Sequence, residues 1–240
     1  WFQPQVNYKT KTLTGVEALI RWRHPEKGML TPASFIELLE NSDQINTVDK
    51  YTVGKVCLYM QKWKAEMPDK DFTVSVNLSR KDIQSPDFAK RLTAYVKKHD
   101  IDPKNIHLEI TESAYMDNSE MLISVVNDLK SDGFIIEMDD FGSGYSSLNT
   151  LKDIDIDILK LDMKFLSETQ NPERSRVIIS SIIHMANALN ITVIAEGVET
   201  KEQADMLLSF GCEIMQGYYF SKPVPVSEYE NMLKNYHFAE

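Results

Sequence analysis

Cysteine is scarce in this chain: two among 240 residues, Cys57 and Cys212, far apart and outside any CxxC pattern. That excludes a disulfide framework or a zinc knuckle and leads us to expect a reducing, cytoplasmic setting. Long apolar runs are also missing. None approaches the roughly 18 residues of a membrane span, and Trp1-Phe2-Gln3-Pro4 has neither a basic leader nor a cleavage site, so no membrane contact is expected of this stretch. An initiating Met is lacking, which predicts a single domain over 1–240 excised from a longer multidomain protein, where any membrane anchor would lie. Positive charge is in deficit. A formal charge of −10 argues against coating a DNA or RNA polymer, so anionic ligands must be met by local Arg or Lys or by metal ions. Histidine pairs such as HExxH are absent, and His24 and His107 read as ordinary. No GxGxxG follows an early strand, which disfavours an open dinucleotide-binding sheet.

What the chain has instead is alternation. Strands are predicted at Phe2 to Tyr8 and Val16 to Trp22, and their short link implies an antiparallel pair. A helix opening at Pro32 and reaching Leu39 and a longer one over Val48 to Met67 follow. Strands at Phe72–Asn77, Ile106–Thr111, Phe134–Asp139, Asp157–Asp162, Thr192–Glu196 and Glu213–Gln216 then alternate with helices at Asp87–Lys98, Ser119–Ser131, Glu173–Leu189, Lys201–Ser209 and Val226–Asn235. The helix from Glu173 shows an apolar stripe through Val177, Ile178, Ser181, Ile182 and Met185. Repeated strand-helix units with mostly apolar strands predict a parallel sheet wrapped by helices, and this length favours an eight-stranded α/β barrel.

The chain is organised around Phe134 to Leu148, where an apolar run ends in Asp139-Asp140 and a loop containing Gly142 and Gly144. Adjacent carboxylates repel each other unless a cation lies between them, although Asp at a strand end can also cap a helix or open a turn. Polar residues recur at or near the other strand ends: Glu17, Asn77, Glu109, Lys160, Glu196 and Gln216. A barrel brings such positions to one mouth. Carboxylates and an amide, without Cys or His, are hard oxygen ligands suited to Mg²⁺ or Mn²⁺, and Asp139-Asp140 can serve two ions about 3.5 to 4 Å apart, as phosphodiester cleavage uses. Lys160 among these acids must be paired, either as a structural ion pair or with a water or phosphate. Arg21, four residues after Glu17, offers a planar fork for a phosphate or is a surface residue.

These residues fall in VEALIRW around Glu17, NLS at Asn77, LEITES at Leu108 to Ser113, DDFGSGYSSL from Asp139, LKLD around Lys160, AEGVET at Ala195 to Thr200, and QGYYFSKP from Gln216. In that order they closely resemble the EAL family of cyclic di-GMP phosphodiesterases. The resemblance implies a modified TIM (β/α)8 barrel with its first strand antiparallel. It also implies metal-dependent hydrolysis of cyclic di-GMP to linear pGpG, lowering a bacterial second messenger. It makes Glu17, Asn77, Glu109 and Asp139 ligands of one Mg²⁺ or Mn²⁺ ion, and Asp139, Asp140 and Glu196 ligands of a second. Lys160 would contact the water or scissile phosphate, Glu196 would be the general base, and Glu199 and Gln216 would support that network. Gln3, Leu19 and Arg21 would bind substrate, and Glu112 would anchor the loop from Phe141. A homodimer is implied, as is a sensory or diguanylate cyclase domain in the parent chain. Ser143 and Met163-Lys164 depart from the common pattern without removing a ligand. A silent cyclic di-GMP receptor is the alternative function, disfavoured because every acid position is filled; a Mg²⁺-dependent lyase or racemase is a more distant one.

Overall fold

The computed structural model describes residues 1–42, 44–117, 119–141, 147–163, 171–236 and 238. Phe2–Asn7 (β1) and Thr12–Ala18 (β2) pair antiparallel, with Gln3 opposite Glu17. A hairpin follows, Trp22–His24 (β3) with Gly28–Leu30 (β4), then Ile36–Asn41 (α1) and the long Ile45–Glu66 (α2). The succeeding units are Val74–Asn77 (β5), Arg80–Ile83 (α3), Phe88–Lys98 (α4), Ile106–Thr111 (β6), Glu112–Asp117 (α5), Ser119–Ser131 (α6), Ile135–Asp139 (β7) and Ser147–Asp153 (α7). Ile158–Asp162 (β8), Pro172–Ala188 (α8), Thr192–Glu196 (β9), Lys201–Ser209 (α9), Ile214–Met215 (β10) and Val226–Asn235 (α10) complete the order. The barrel closes in the sequence β1-β10-β9-β8-β7-β6-β5-β2. Every neighbouring pair is parallel except those of β1, which is antiparallel to both β2 and β10. The expected modified barrel is the one that forms.

Strand alternation assigns each side chain to the lumen or to the helical coat. On β8, Leu159 and Leu161 are fully buried against the coat, whereas Lys160 meets acids from four other strands and so points into the lumen. The same alternation turns Val74 and Val76, Leu108 and Ile110, and Ile136 and Met138 outward under the helices, all fully or nearly fully buried. An aromatic knot ties β1 to this coat: Phe2, Trp63 of α2 and Tyr229 of α10 have ring centroids 5.4 to 5.5 Å apart. Trp63 Nε1 donates to Glu230 Oε1 at 3.1 Å, which satisfies the indole inside the packing.

Three local expectations need correction. The second strand stops at Ala18 rather than Trp22, because Ala18 is already opposite Phe2 and the following Leu19 N–H bonds to Trp1 O at 2.8 Å. Trp22–His24 finds its partner in the hairpin instead. The segment from Pro32 begins as a 3₁₀ turn, Pro32–Ser34, before α1. On α8 the buried stripe is Ser175, Ile179, Ile183 and Ala186, with Val177 and Ile178 exposed; in the nearly continuous apolar run both registers have helical spacing, and packing chose the other one.

On the outer layer, Asp49 of α2 and Asp82 of α3 form an acidic pair, with Asn46 Nδ2 donating to Asp82 Oδ1 at 2.8 Å. Burial, reinforced by Asp82, pushes the Asp49 carboxyl up to about 8. Because the folded value lies above the unfolded one, this contribution to stability is full below about pH 4 and is lost as pH rises through about 8. Asp49→Asn is therefore expected to raise Tm at pH 8.5 and to lose that advantage towards pH 5, with a slope of at most about 1.4 kcal/mol per pH unit. Melting curves across this range test it; a pH-independent difference would acquit the pair.

Candidate active site

At the C-terminal mouth of the barrel, side chains from different strands converge on Lys160 Nζ. Glu196 Oε1 lies at 2.8 Å, Glu109 Oε1 at 2.9 Å, Glu17 Oε2 at 3.5 Å and Asp139 Oδ1 at 4.0 Å. Glu17 is further held by Asn77 Nδ2, which donates to its Oε1 at 3.3 Å, and by Gln216 Nε2, which donates to its Oε2. Gln216 Nε2 also reaches Gln3 Oε1 at 3.2 Å, and Gln3 Nε2 donates to Ser221 O at 3.2 Å. Gln216 can sit there because the next residue is glycine. A Cβ on Gly217 would lie 2.2 Å from Val198 O, so only glycine lets β10 pass this close to the turn after β9.

One ammonium cannot balance four acids, and the titration of the cluster reflects this. Burial alone would lower Lys160, but Glu109, Glu17, Glu196 and Asp139 together hold it well above the ordinary lysine value. Burial, then the nearby charges of Glu17 and others, raises Glu109 well above a normal carboxyl, and burial pushes Glu196 up to about 8. The cluster therefore retains protons that added positive charge would displace.

The donors suit a divalent cation in kind: all are oxygen, and both buried oxygens of Glu109 lack a hydrogen-bond partner even though one faces Lys160. Their arrangement is another matter. Among the described residues no three acids or imidazoles are placed as a ready metal site, because the carboxylates close on the ammonium instead. Asp140 follows Asp139 in a left-handed conformation (φ 57°), exposed, with its N–H donating to Asp139 Oδ1 at 2.8 Å.

Beside this cluster a groove of about 500 Å³ is lined by Glu17, Leu19, Asn77, Ile36 and Arg80 among others. Arg21 lies outside that lining. Its guanidinium donates to Ile20 O at 2.8 Å and lies 5.7 Å from the Trp1 ring, at the edge of a second cavity that Leu19 also lines. Glu199 is exposed in the turn before α9, its N–H bonded to Gln203 Oε1 at 2.7 Å, and is not among the ion-pair partners of Lys160. Glu112 is buried at the start of α5. The segment 142–146 that it is expected to anchor, including Ser143, lies outside the described residues, as does Lys164.

Sequence reasoning missed a second polar layer. One step deeper in the lumen, Gln5 Nε2 reaches Ser75 Oγ at 3.4 Å, Ser75 Oγ donates to Glu137 Oε1 at 3.0 Å, and His107 Nδ1 lies 2.7 Å from the same oxygen. A rule confined to strand ends overlooks these residues. The available signal was Glu137 itself, a charge inside the apolar run Phe134 to Met138.

An α/β barrel with one antiparallel strand and an acidic mouth places the molecule among TIM-like barrels. More narrowly, the chain belongs to the EAL domain family, whose family model matches residues 1–223. It is 37% identical over 224 residues to the probable cyclic di-GMP phosphodiesterase PdeG of Escherichia coli, covering 93% of this chain and 44% of that protein. To MucR of Pseudomonas aeruginosa, a bifunctional diguanylate cyclase/cyclic di-GMP phosphodiesterase, identity is 32% over 227 residues, 95% of this chain and 33% of that protein. The solved MucR phosphodiesterase in complex with c-di-GMP matches with a TM-score of 0.88 over 95% of this chain and 92% of that one. Klebsiella pneumoniae BlrP1, solved with calcium and cyclic di-GMP, is 26% identical with a TM-score of 0.76, covering 92% of this chain and 54% of that one. The chain spans 28 to 44% of the length of the first curated relatives it matches. No helix among the described residues is long and apolar enough to cross a membrane.

Proposed function

We propose that this domain hydrolyses one phosphodiester bond of cyclic di-GMP to give linear pGpG. The observation that carries the reading is the convergence of Glu17, Glu109, Asp139 and Glu196 on the buried Lys160 at the barrel mouth. Divalent metals belong to the chemistry of the family's phosphodiesterases. When bound, two ions, Mg²⁺ or Mn²⁺, would activate a water and neutralise charge on the phosphate. Glu17, Asn77, Glu109 and Asp139 would hold one, and Asp139, Asp140 and Glu196 the other.

The chain's own groups do the rest. Glu196, whose Oε1 lies 2.8 Å from Lys160 Nζ at the mouth, is the carboxylate placed to act as general base for the attacking water. Lys160 contributes positive charge at the scissile phosphate or orients that water, and Gln216 holds Glu17 in place from the other side of the mouth. Arg21 presents its fork to a substrate phosphate, and Gln3 and Leu19 contribute to substrate binding from the mouth and the groove. Glu199 supports the water network and Glu112 steadies the loop after Phe141. We take the working unit to be a cytoplasmic homodimer governed by a sensory or diguanylate cyclase domain of the parent chain, in keeping with the composite name of MucR.

Incubation with cyclic di-GMP and Mn²⁺ or Mg²⁺, followed by chromatography, tests the reading. pGpG is expected with metal and not with EDTA. Tight binding of cyclic di-GMP without product under either metal would make the domain a receptor.

A further inference from the structure

Below the ring of acids lies a carboxylate that the proposed chemistry leaves unused. Glu137 is fully buried and sits two residues before Asp139 on β7, so it faces the same lumen one layer deeper. Its Oε1 is fixed by Ser75 Oγ at 3.0 Å and His107 Nδ1 at 2.7 Å, whereas its Oε2 is buried with no hydrogen-bond partner. A buried carboxylate oxygen left open is costly and calls for an explanation. The layer that holds it is built with care: Gln5 braces Ser75, and Gly15 leaves the room, since a Cβ there would lie 2.6 Å from Gln5 Oε1. Glu137 lies close enough to His107 and Lys160 to feel the charge of each.

The upper layer has the complementary problem. Lys160 occupies the centre on which the acids converge, and among the described residues no three of them stand ready for a metal. Cations entering this centre compete with the ammonium for the same carboxylates. The oxygens of Glu109 lack hydrogen bonds too, but belong to the acids that would turn to the ions, and the open Gln216 Oε1 is neutral and beside Glu17. Glu137 Oε2 is the anionic acceptor below.

We propose that Glu137 is the positioning residue for Lys160: when the mouth acids take up divalent ions, the ammonium moves down onto Glu137 Oε2 and is held there. This rests on the metal-binding reading of the mouth given above. Held from below, Lys160 stays under the ions, where it can orient a water, and the ions keep the space it vacated.

A double-mutant cycle on Mn²⁺ affinity, read by electron paramagnetic resonance of free Mn²⁺ without substrate, tests the coupling. Glu137→Gln is expected to weaken Mn²⁺ binding about tenfold with Lys160 present and less than about threefold in a Lys160→Met background. Equal losses in both backgrounds, or no loss in either, overturn the inference while leaving the metal site standing; a wild type that binds no Mn²⁺ overturns both. Glu137→Asp decides the matter independently, should Lys160→Met not fold. A packing role favours the isosteric Gln over the shorter Asp, whereas a charged anchor predicts that Asp recovers affinity to within about threefold of wild type and Gln does not.

Discussion

Asp139→Asn and Glu196→Ala are each expected to lower cyclic di-GMP hydrolysis by about a thousandfold or more, with little change in the metal-free fold. Asp139 ends β7 at the mouth, 4.0 Å from Lys160 Nζ, and Asn keeps its shape while removing the charge that two cations would share. Glu196 is closer, at 2.8 Å, and Ala removes both its carboxylate and the base proposed for the attacking water. Under the proposed roles, loss at either position is expected to fall on turnover more than on substrate affinity, because both would act on the reacting groups. Turnover measured as pGpG formed, alongside Tm, checks this. Hydrolysis persisting at the wild-type rate in either variant would sink the assignment of the mouth as the active site.

The largest effect on stability is expected from Lys160→Met. Removing the ammonium leaves Glu17, Glu109, Glu196 and Asp139 facing one another without a cation, and breaking a buried ionic cluster from one side typically costs about 3 to 5 kcal/mol. For a chain of this size that corresponds to a fall of roughly 6 to 20 °C in Tm. The deficit should be greatest in EDTA and should shrink in Mn²⁺, since bound cations replace the missing charge. Melting curves in the two conditions decide it; an equal deficit in both would mean that Lys160 stabilises the barrel by packing rather than by neutralising the acids.

Much of this molecule was legible in its sequence because barrel strands announce themselves. Runs such as Ile158-Leu159-Lys160-Leu161-Asp162 combine a short apolar stretch with a polar end, and their recurrence between helices names both the barrel and the mouth that collects the ends. The antiparallel first strand followed from the short link between β1 and β2, where no crossover helix fits. The resemblance added Gln3, Leu19 and Glu199, which have no pattern of their own: Gln3 joins the Gln216 network, Leu19 lines the groove and Glu199 stands exposed in the turn before α9. Other features were illegible for a physical reason. The stripe on α8 is ambiguous because Val177 to Ile183 is apolar or small at every register, and only contact with the barrel selects Ile179 and Ile183. His107 read as ordinary because its partner, Glu137, is 30 residues away on the next strand.

The sequence alone determined that strands and helices alternate, that acids and one lysine stand at the strand ends, and that the chain is an EAL domain, because these depend on local periodicity and on motifs of adjacent residues. Only the tertiary structure decided that Glu17, Glu109, Asp139 and Glu196 all close on Lys160, that Glu137 waits beneath them with one oxygen open, and that Asp49 and Asp82 share a buried space. Those facts are distances across a closed lumen or between packed helices. Closure, set by the register of eight strands and the packing of their helices, turns positions far apart in the chain into neighbours a few ångströms apart.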